Sequence, residues 1–351
     1  MEDLNNQKVE SMNLPYISVI ITAYNRKQYL MDAIKSVLAQ TIERSLYEII
    51  VIKNFKDDEI DDFMTKNNIK NIIMDGRIGE FLYKGISESK GKIISFLDDD
   101  DYFDINKLET IIDIFNKNPD IVYCHNNQIW VNAKNEIIKK NKFFLSGKIN
   151  FNEAIQNFLK TNDLFFNLSS ICIKKEYYLK YLEILKNLIT HPDDFMLFFA
   201  LDGYSNIFIT QSYLTYYRLH NSTSNIKLNE LTLKNISSYR TKKISLLSSY
   251  VEATNYIIEN LNNEILKTLI KFQLIKEKIY LNYFKKNWFN KEGIKLFIEF
   301  IKYIIINKKF FKKYSKNFIF HLFITNLYLS FFYFSNKTTI SYRILSRLYI
   351  L

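Results

Sequence analysis

The chain is poor in residues that break or staple a backbone, with 7 Gly, 3 Pro and 2 Cys among 351 residues. Two cysteines, Cys124 and Cys172, exclude a disulfide framework, and their separation does not fit a zinc site. Each lies in an apolar, strand-like run, where a free thiol serves as a small core residue, so a reducing compartment is expected. Scarce Gly and Pro beside 29 Phe and 25 Tyr call for long regular elements and exclude extended disorder. The opening Met1-Glu2-Asp3-Leu4-Asn5-Asn6-Gln7 lacks the basic and apolar stretches of a secretory signal, which predicts a cytoplasmic protein. Aspartate is absent beyond Asn225, where 22 Lys and Arg face 7 Glu for a net +15, whereas the first 225 residues carry −4. A basic half of this kind suits an anionic membrane or a phosphate polymer.

Residues 17 to 125 alternate β-prone runs with helical patterns, as βαβ units of a mainly parallel sheet do. Strands are expected at Ile17–Thr22, Tyr47–Ile52, Asn71–Met74, Ile93–Leu97 and Asp120–Cys124, with helices at Tyr29–Leu38, Ile60–Met64, Gly79–Ser89 and Lys107–Asn116. From Asn126 to Arg218 the pattern is mixed. Gln128–Val131 and Glu136–Ile138 flank a polar turn and read as a hairpin; strands at Ser169–Ile173 and Ser212–Leu219 and helices at Lys174–Leu188 and Asp193–Leu201 complete it. Beyond Asn225 the pattern is helical, interrupted only at Gly293.

The most telling run is Lys92-Ile93-Ile94-Ser95-Phe96-Leu97-Asp98-Asp99-Asp100-Asp101, a buried-strand pattern ending in four carboxylates. Such a strand delivers its last side chains to the carboxyl edge of a sheet, where open α/β folds bind ligands. Like charges so close repel one another unless a cation sits among them, and all-oxygen ligation favours Mg²⁺ or Mn²⁺ over zinc. The plainer alternative is a solvated turn in which Asp104 caps the next helix.

Two segments stand out: Ile17-Ser18-Val19-Ile20-Ile21-Thr22-Ala23-Tyr24-Asn25-Arg26 with Ala33-Ile34, Val37-Leu38-Ala39-Gln40-Thr41 and Tyr47-Glu48-Ile49-Ile50-Val51, and then Gly85-Ile86, Gly91-Lys92 and the run through Asp101. Together they are similar to family 2 glycosyltransferases with the GT-A fold. The resemblance covers roughly the first 125 residues, counted from these motifs. It implies a GT-A nucleotide-diphospho-sugar transferase fold, a Rossmann-like α/β domain with a mixed, mainly parallel sheet, here carrying a C-terminal helical extension. The expected organisation is a polar lead at 1–14, a transferase domain at 15–225 divided into a nucleotide-sugar half (15–125) and an acceptor half (126–225), and a basic, aromatic-rich helical region at 226–351.

The resemblance further implies that Thr22, Ala23, Tyr24, Asn25 and Arg26 line the nucleotide cleft, and that Asp98 and Asp99 face the donor. Asp98 and Asp100 would hold a divalent Mn or Mg ion on the donor phosphates, with His220, from Tyr217-Arg218-Leu219-His220, as a further ligand and Arg218 as a phosphate clamp. In His191-Pro192-Asp193-Asp194-Phe195, Asp194 matches the family's catalytic base and Asp193 its neighbour, and adjacent carboxylates raise one another's pKa as proton abstraction requires. The plainer reading of that pair is a helix N-terminus. The chain departs from the family pattern twice. Lys53-Asn54-Phe55-Lys56 stands where an Asp-Asp-Gly-Ser run is usual, which weakens the case for a uridine donor, and Phe81-Leu82-Tyr83 replaces Ala-Arg-Asn. Lys53 and Arg77 are the nearby cations for phosphate contact.

Residues 317–336 lack Asp, Glu, Lys and Arg, yet Asn317, His321, Thr325 and Ser330 recur near helical spacing. A surface-lying helix, a packed helix and a membrane span all remain open; lysines interleaved with aromatic residues from 302 to 316 favour peripheral contact of 300–351 with the inner face of a membrane. The expected activity is a metal-dependent, inverting transfer of a sugar from a nucleotide diphosphate to a hydroxyl of a glycan, lipid-linked glycan or protein. The alternatives are a Mg²⁺-dependent phosphoryl transferase, and an inactive fold that binds membrane or, less readily, nucleic acid.

Overall fold

The computed structural model describes residues 14–141, 145–161, 167–190, 192–220, 236–285 and 291–314. These form two compact units, one of residues up to 150 together with 167–219, the other of 151–161 and the residues from 220 on.

In chain order the first unit opens with β1 (Ile17–Ala23), α1 (Leu30–Leu38), β2 (Tyr47–Lys53), α2 (Asp58–Lys66), β3 (Lys70–Ile73), α3 (Ile78–Glu88), β4 (Ile93–Asp98), β5 (Tyr102–Phe103) and α4 (Lys107–Lys117). Then come β6 (Ile121–Asn132), β7 (Ile137–Asn141) and β8 (Gly147–Ile149). Helix α5 (Phe151–Thr161) belongs to the second unit, although it lies within the 126–225 segment expected to form one acceptor half. The chain returns through β9 (Ile171–Lys174), α6 (Lys175–Tyr178), α7 (Leu182–Lys186), α8 (Pro192–Asp202) and β10 (Asn206–Leu219).

The strands form one sheet in the order β3-β2-β1-β4-β9-β6-β10-β5, with β7 on β6 and β8 on β10. Strands β3, β2, β1 and β4 are mutually parallel; β9 runs against β4 and β6, and β5 runs against β10, which is parallel to β6. Six of the eight strands on that path therefore share one direction, and their carboxyl ends form one edge. All seven residues of β1 are buried, as a strand covered on both faces requires. Helix α1 packs through Leu30, Ala33, Ile34 and Val37, the i, i+3, i+4, i+7 stripe of a helix lying on a sheet. Helix α3 crosses β1 and β2 at Gly85, where a Cβ would lie 2.6 Å from Ile20 Cγ2 and 2.9 Å from Ile52 Cδ1. Only a residue without a side chain allows that approach.

Two expected elements fuse. Asp120–Cys124 and Gln128–Val131 are parts of the single strand β6, because His125, Asn126 and Asn127 between them continue the ladder to β9 and β10. The expected helix over 174–188 is instead α6, a 3₁₀ turn at Leu179–Tyr181 and α7. Asp104 is not the helix cap: Asn106 holds that position in α4, and the Asp104 carboxylate accepts from the Asn106 N–H at 3.0 Å.

The second unit adds α9 (Ile236–Asn260), α10 (Glu264–Phe284), α11 (Lys291–Ile306) and α12 (Lys308–Tyr314). Phe272, Ile275, Ile279, Phe300 and Phe311 form a core, joined by Leu159 of α5. Gly293 does not interrupt a helix; it lies inside α11, and a described break falls at residues 261–263, where the Asn263 side chain accepts from the Leu266 N–H at 3.0 Å. No helix among the described residues is long and apolar enough to cross a membrane. The 317–336 segment, His191 and the expected domain boundary at 225 lie outside the described residues.

Candidate active site at the carboxyl edge of the sheet

Parallel register brings three strand ends side by side: Thr22 of β1 lies opposite Asp98 of β4, and Ala23 opposite Lys53 of β2. Thr22 and Ala23 are buried, whereas Tyr24 turns outward, 59% exposed, its ring 6.1 Å from that of Phe81. Asn25 adopts a left-handed φ of 54°. Its N–H donates to Asn54 Oδ1 and its own Oδ1 accepts from Asn54 Nδ2, both at 2.8 Å, which locks the loops after β1 and β2 together.

Lys53 is placed differently from the expectation of a phosphate contact. Its side chain is fully enclosed, with the ammonium on Asp61 at 2.8 Å and donating to the Phe55 carbonyl at 2.5 Å. A lysine so held anchors the loop from within. Arg77 precedes α3 and is exposed; its N–H donates to Glu80 at 2.7 Å, and no partner for its guanidinium occurs among the described residues.

The four carboxylates divide by environment. Arg26 forks Asp99, Nε to Oδ2 and Nη2 to Oδ1 each at 2.6 Å, and extends Nη1 to Asp100 Oδ2 at 2.8 Å. Burial alone would lower the guanidinium's proton affinity; the bond to Asp99 and the charges of Asp100, Asp99 and Asp98 outweigh it and raise it. Burial raises the pKa of Asp99, with Arg26 opposing. Asp101 lies on the far side and accepts three bonds: from Asn167 Nδ2 at 2.8 Å, Ser169 Oγ at 2.7 Å and the Arg218 N–H at 2.9 Å. Burial and then the charge of Asp100 push it up to about 7 despite those bonds. Asp98, half-buried, has no hydrogen bond or ion pair to its carboxylate among the described residues. Burial, then Asp100, Asp101, Asp99 and Asp193, raise its pKa well above the ordinary value.

Arg218 works from the other flank. Its Nε donates to the Asp100 carbonyl at 2.8 Å and its Nη2 meets Asp32 of α1 at 3.1 Å, while the guanidinium lies 4.2 Å from the Tyr29 ring centre. Asn167, at φ 79°, donates its N–H to Asp193 Oδ2 at 2.9 Å as well as its amide to Asp101. One residue thereby connects the acidic run to the first turn of α8, where Asp193 and the half-buried Asp194 sit. His220 follows the last residue of β10, and no group of three metal-type side chains, with His220 or otherwise, assembles among the described residues.

Asp98 and Asp100 thus offer two oxygen ligands rather than a cage, which fits a Mg²⁺- or Mn²⁺-type ion that completes its shell with donor phosphates. The Asp98 carboxylate, which no hydrogen bond or ion pair engages among the described residues, is the observation that favours a cation there. Sequence reasoning did not assign Asn54, Asp32 or Lys107. Lys107 opens α4, is fully buried, donates to the Ser169 carbonyl at 2.5 Å and to Thr215 Oγ1 at 3.1 Å, and burial brings its pKa down to about 8. A cation at the first position of a helix opposes the macrodipole, and that mismatch was a readable signal that Lys107 serves something other than α4.

Residues 18–182 match the sequence profile described as Glycosyl transferase family 2. An uncharacterised glycosyltransferase of Rickettsia prowazekii is 40% identical over 116 residues, 31% of this chain and 36% of that protein, so the chain spans about a third of that relative's length. An uncharacterised glycosyltransferase of Haemophilus influenzae is 24% identical over 325 residues, 83% of this chain and 98% of that protein. Among solved structures, S. aureus TarS residues 1–349 in complex with UDP-GlcNAc superposes with a TM-score of 0.55 at 14% identity, over 86% of this chain and 82% of that one. At that identity the likeness speaks for the fold, which is GT-A. With the profile match and the curled, mainly parallel sheet in agreement, residues 18–182 form a glycosyltransferase family 2 domain.

Proposed function

We propose that the chain transfers a sugar from a nucleotide-diphosphate donor to an acceptor hydroxyl, with inversion, using a divalent cation. The observation that carries this reading is the meeting of the β1, β2 and β4 ends at an acidic edge that Asn167 joins to the α8 carboxylates. In this reading Thr22 to Arg26 form the nucleotide side, with Tyr24 as an exposed ring for base or ribose. Asp98 and Asp100 would hold the cation, which neutralises charge on the departing diphosphate when bound. Arg218 and Arg77 supply further positive charge, and Lys53 and Asp99 keep the loops in place.

Asp194 takes the proton of the acceptor hydroxyl as its oxygen bonds to the anomeric carbon from the face opposite the leaving group. The bond from that carbon to the diphosphate oxygen breaks, and its electron pair leaves with the nucleotide. Asp193, accepting from the Asn167 N–H, fixes the turn that aims Asp194. TarS was crystallised with UDP-GlcNAc, which makes a UDP-sugar the first donor to try. The Lys53-Asn54 segment argues for testing other bases beside it. The acceptor is a hydroxyl of a glycan, lipid-linked glycan or protein, and the basic helical half is assigned peripheral contact with an anionic membrane.

The test is calorimetric titration of UDP, GDP, dTDP and CMP into the full chain, each with and without Mn²⁺. Binding of one nucleotide that requires the metal is the expected result; a folded chain that binds none would overturn the reading.

A further inference from the structure

Helix α11 has two apolar faces. Leu296, Phe300, Tyr303 and Ile304 pack with Phe272 and Phe311 in the helical core. The other side presents Ile294, Phe297, Ile298, Ile301 and Ile305, exposed by 52%, 36%, 46%, 41% and 62%. Steps of three and four residues align these five along the helix, about 130° round from the packed face at 100° per residue. A surface helix ordinarily carries polar side chains there. Helix propensity does not account for them either, because isoleucine loses rotamer freedom in a helix.

Positive charge borders the stripe. Between Lys291 and Tyr314 seven lysines accompany two glutamates, Glu292 and Glu299. Lys291, Lys295 and Lys302 lie roughly 20–60° from Ile298 on the helical wheel. Lys308, Lys309, Lys312 and Lys313 follow in α12, and none of the seven is ion-paired among the described residues.

We propose that the outer face of α11, with the lysines of α11 and α12, docks on an anionic lipid surface. The isoleucines and Phe297 enter the boundary between headgroups and acyl chains, while lysine stems lie along it and their ammoniums reach lipid phosphates. A second copy of the chain is a poorer occupant: a two-fold interface sets each patch against its own likeness, and these lysines would face one another. The inference sharpens the peripheral-membrane reading and leaves the transferase reading to its own test.

The full chain is sedimented with vesicles of phosphatidylcholine containing phosphatidylglycerol, and with phosphatidylcholine alone. The chain is expected to partition onto the anionic vesicles, and I298D/I301D or K295E/K302E to weaken that partition more than about tenfold with unchanged thermal midpoints. A parent chain that ignores anionic vesicles overturns the proposal, as do variants that bind like the parent. A lowered midpoint in I298D/I301D would mean that the chain itself covers the face, and a parent dimer split by that variant would mean a second copy; either overturns it. Nucleotide binding with Mn²⁺, measured on the same samples, separates loss of this surface from failure of the transferase reading.

Discussion

Arg26→Gln tests how the acidic edge is held before any ligand arrives. Arg26 forks Asp99 with two bonds of 2.6 Å, and the Asp99 side chain is 5% exposed against 29% for Arg26. Removing one partner of a buried pair leaves the other charge stranded, at a typical loss of about 3–5 kcal/mol. Partial exposure of the guanidinium screens the pair, so about 2–3 kcal/mol is expected here. Asp99→Asn removes the stranded charge, and the double variant recovers part of the loss, giving a coupling of about 2 kcal/mol in a double-mutant cycle by urea unfolding. The sign of the pH dependence follows from linkage. Burial already raises the Asp99 pKa above its unfolded value, and without Arg26 it rises further. The folded state then keeps a proton that the unfolded state has shed, so stability falls with rising pH and the single variant loses more at pH 8 than at pH 5. A coupling below about 0.5 kcal/mol, or a loss independent of pH, would refute the reasoning.

Lys107→Met isolates the buried ammonium. Its pKa falls from 10.5 to about 8 on folding, so the burial cost is fully present below pH 8; between there and pH 10.5 the folded state sheds its proton first. The stability of the parent relative to the variant should therefore rise by about 3 kcal/mol across that window, read by chemical denaturation at successive pH values. Gly85→Ala pushes a methyl group to 2.6 Å from Ile20 Cγ2; overpacking of about 1–3 kcal/mol outweighs the helix preference of Ala, and a thermal melt checks it. Asp194→Asn is expected to abolish sugar transfer while metal-dependent nucleotide binding persists; parental turnover in this variant would remove Asp194 from the mechanism.

What sequence reading captured was the part governed by hydrophobic period. Strands β1, β2 and β4 are nearly all apolar because helices cover both faces, and their order along the chain follows from βαβ alternation. It failed at β6, which it divided into two strands around Asn126 and Asn127, although both, with His125 and Gln128 beside them, are completely buried. The polar run is held by tertiary partners invisible in one dimension, such as the Asn126 amide on Thr215 and the Gln128 amide on Ser170. The site shows the same limit. The four aspartates marked the acidic edge, but nothing in a run of identical residues says that Asp99 belongs to Arg26 and Asp101 to Asn167, Ser169 and Arg218. Lys53 read as a free cation because Asp61, which neutralises it, lies a helical turn into α2.

Arg26 spanning Asp99 and Asp100 has a practical corollary. The protein carries its own counter-ion across the place where charge is densest, so its architecture does not depend on an imported one. On the proposed cation-dependent mechanism, chelators in a purification buffer are expected to stop transfer without unfolding the chain, in contrast to zinc modules whose fold dissolves with the metal. Activity lost in that way would return on adding the ion, with no refolding step, and apo samples would be legitimate starting material for measuring which ion is preferred.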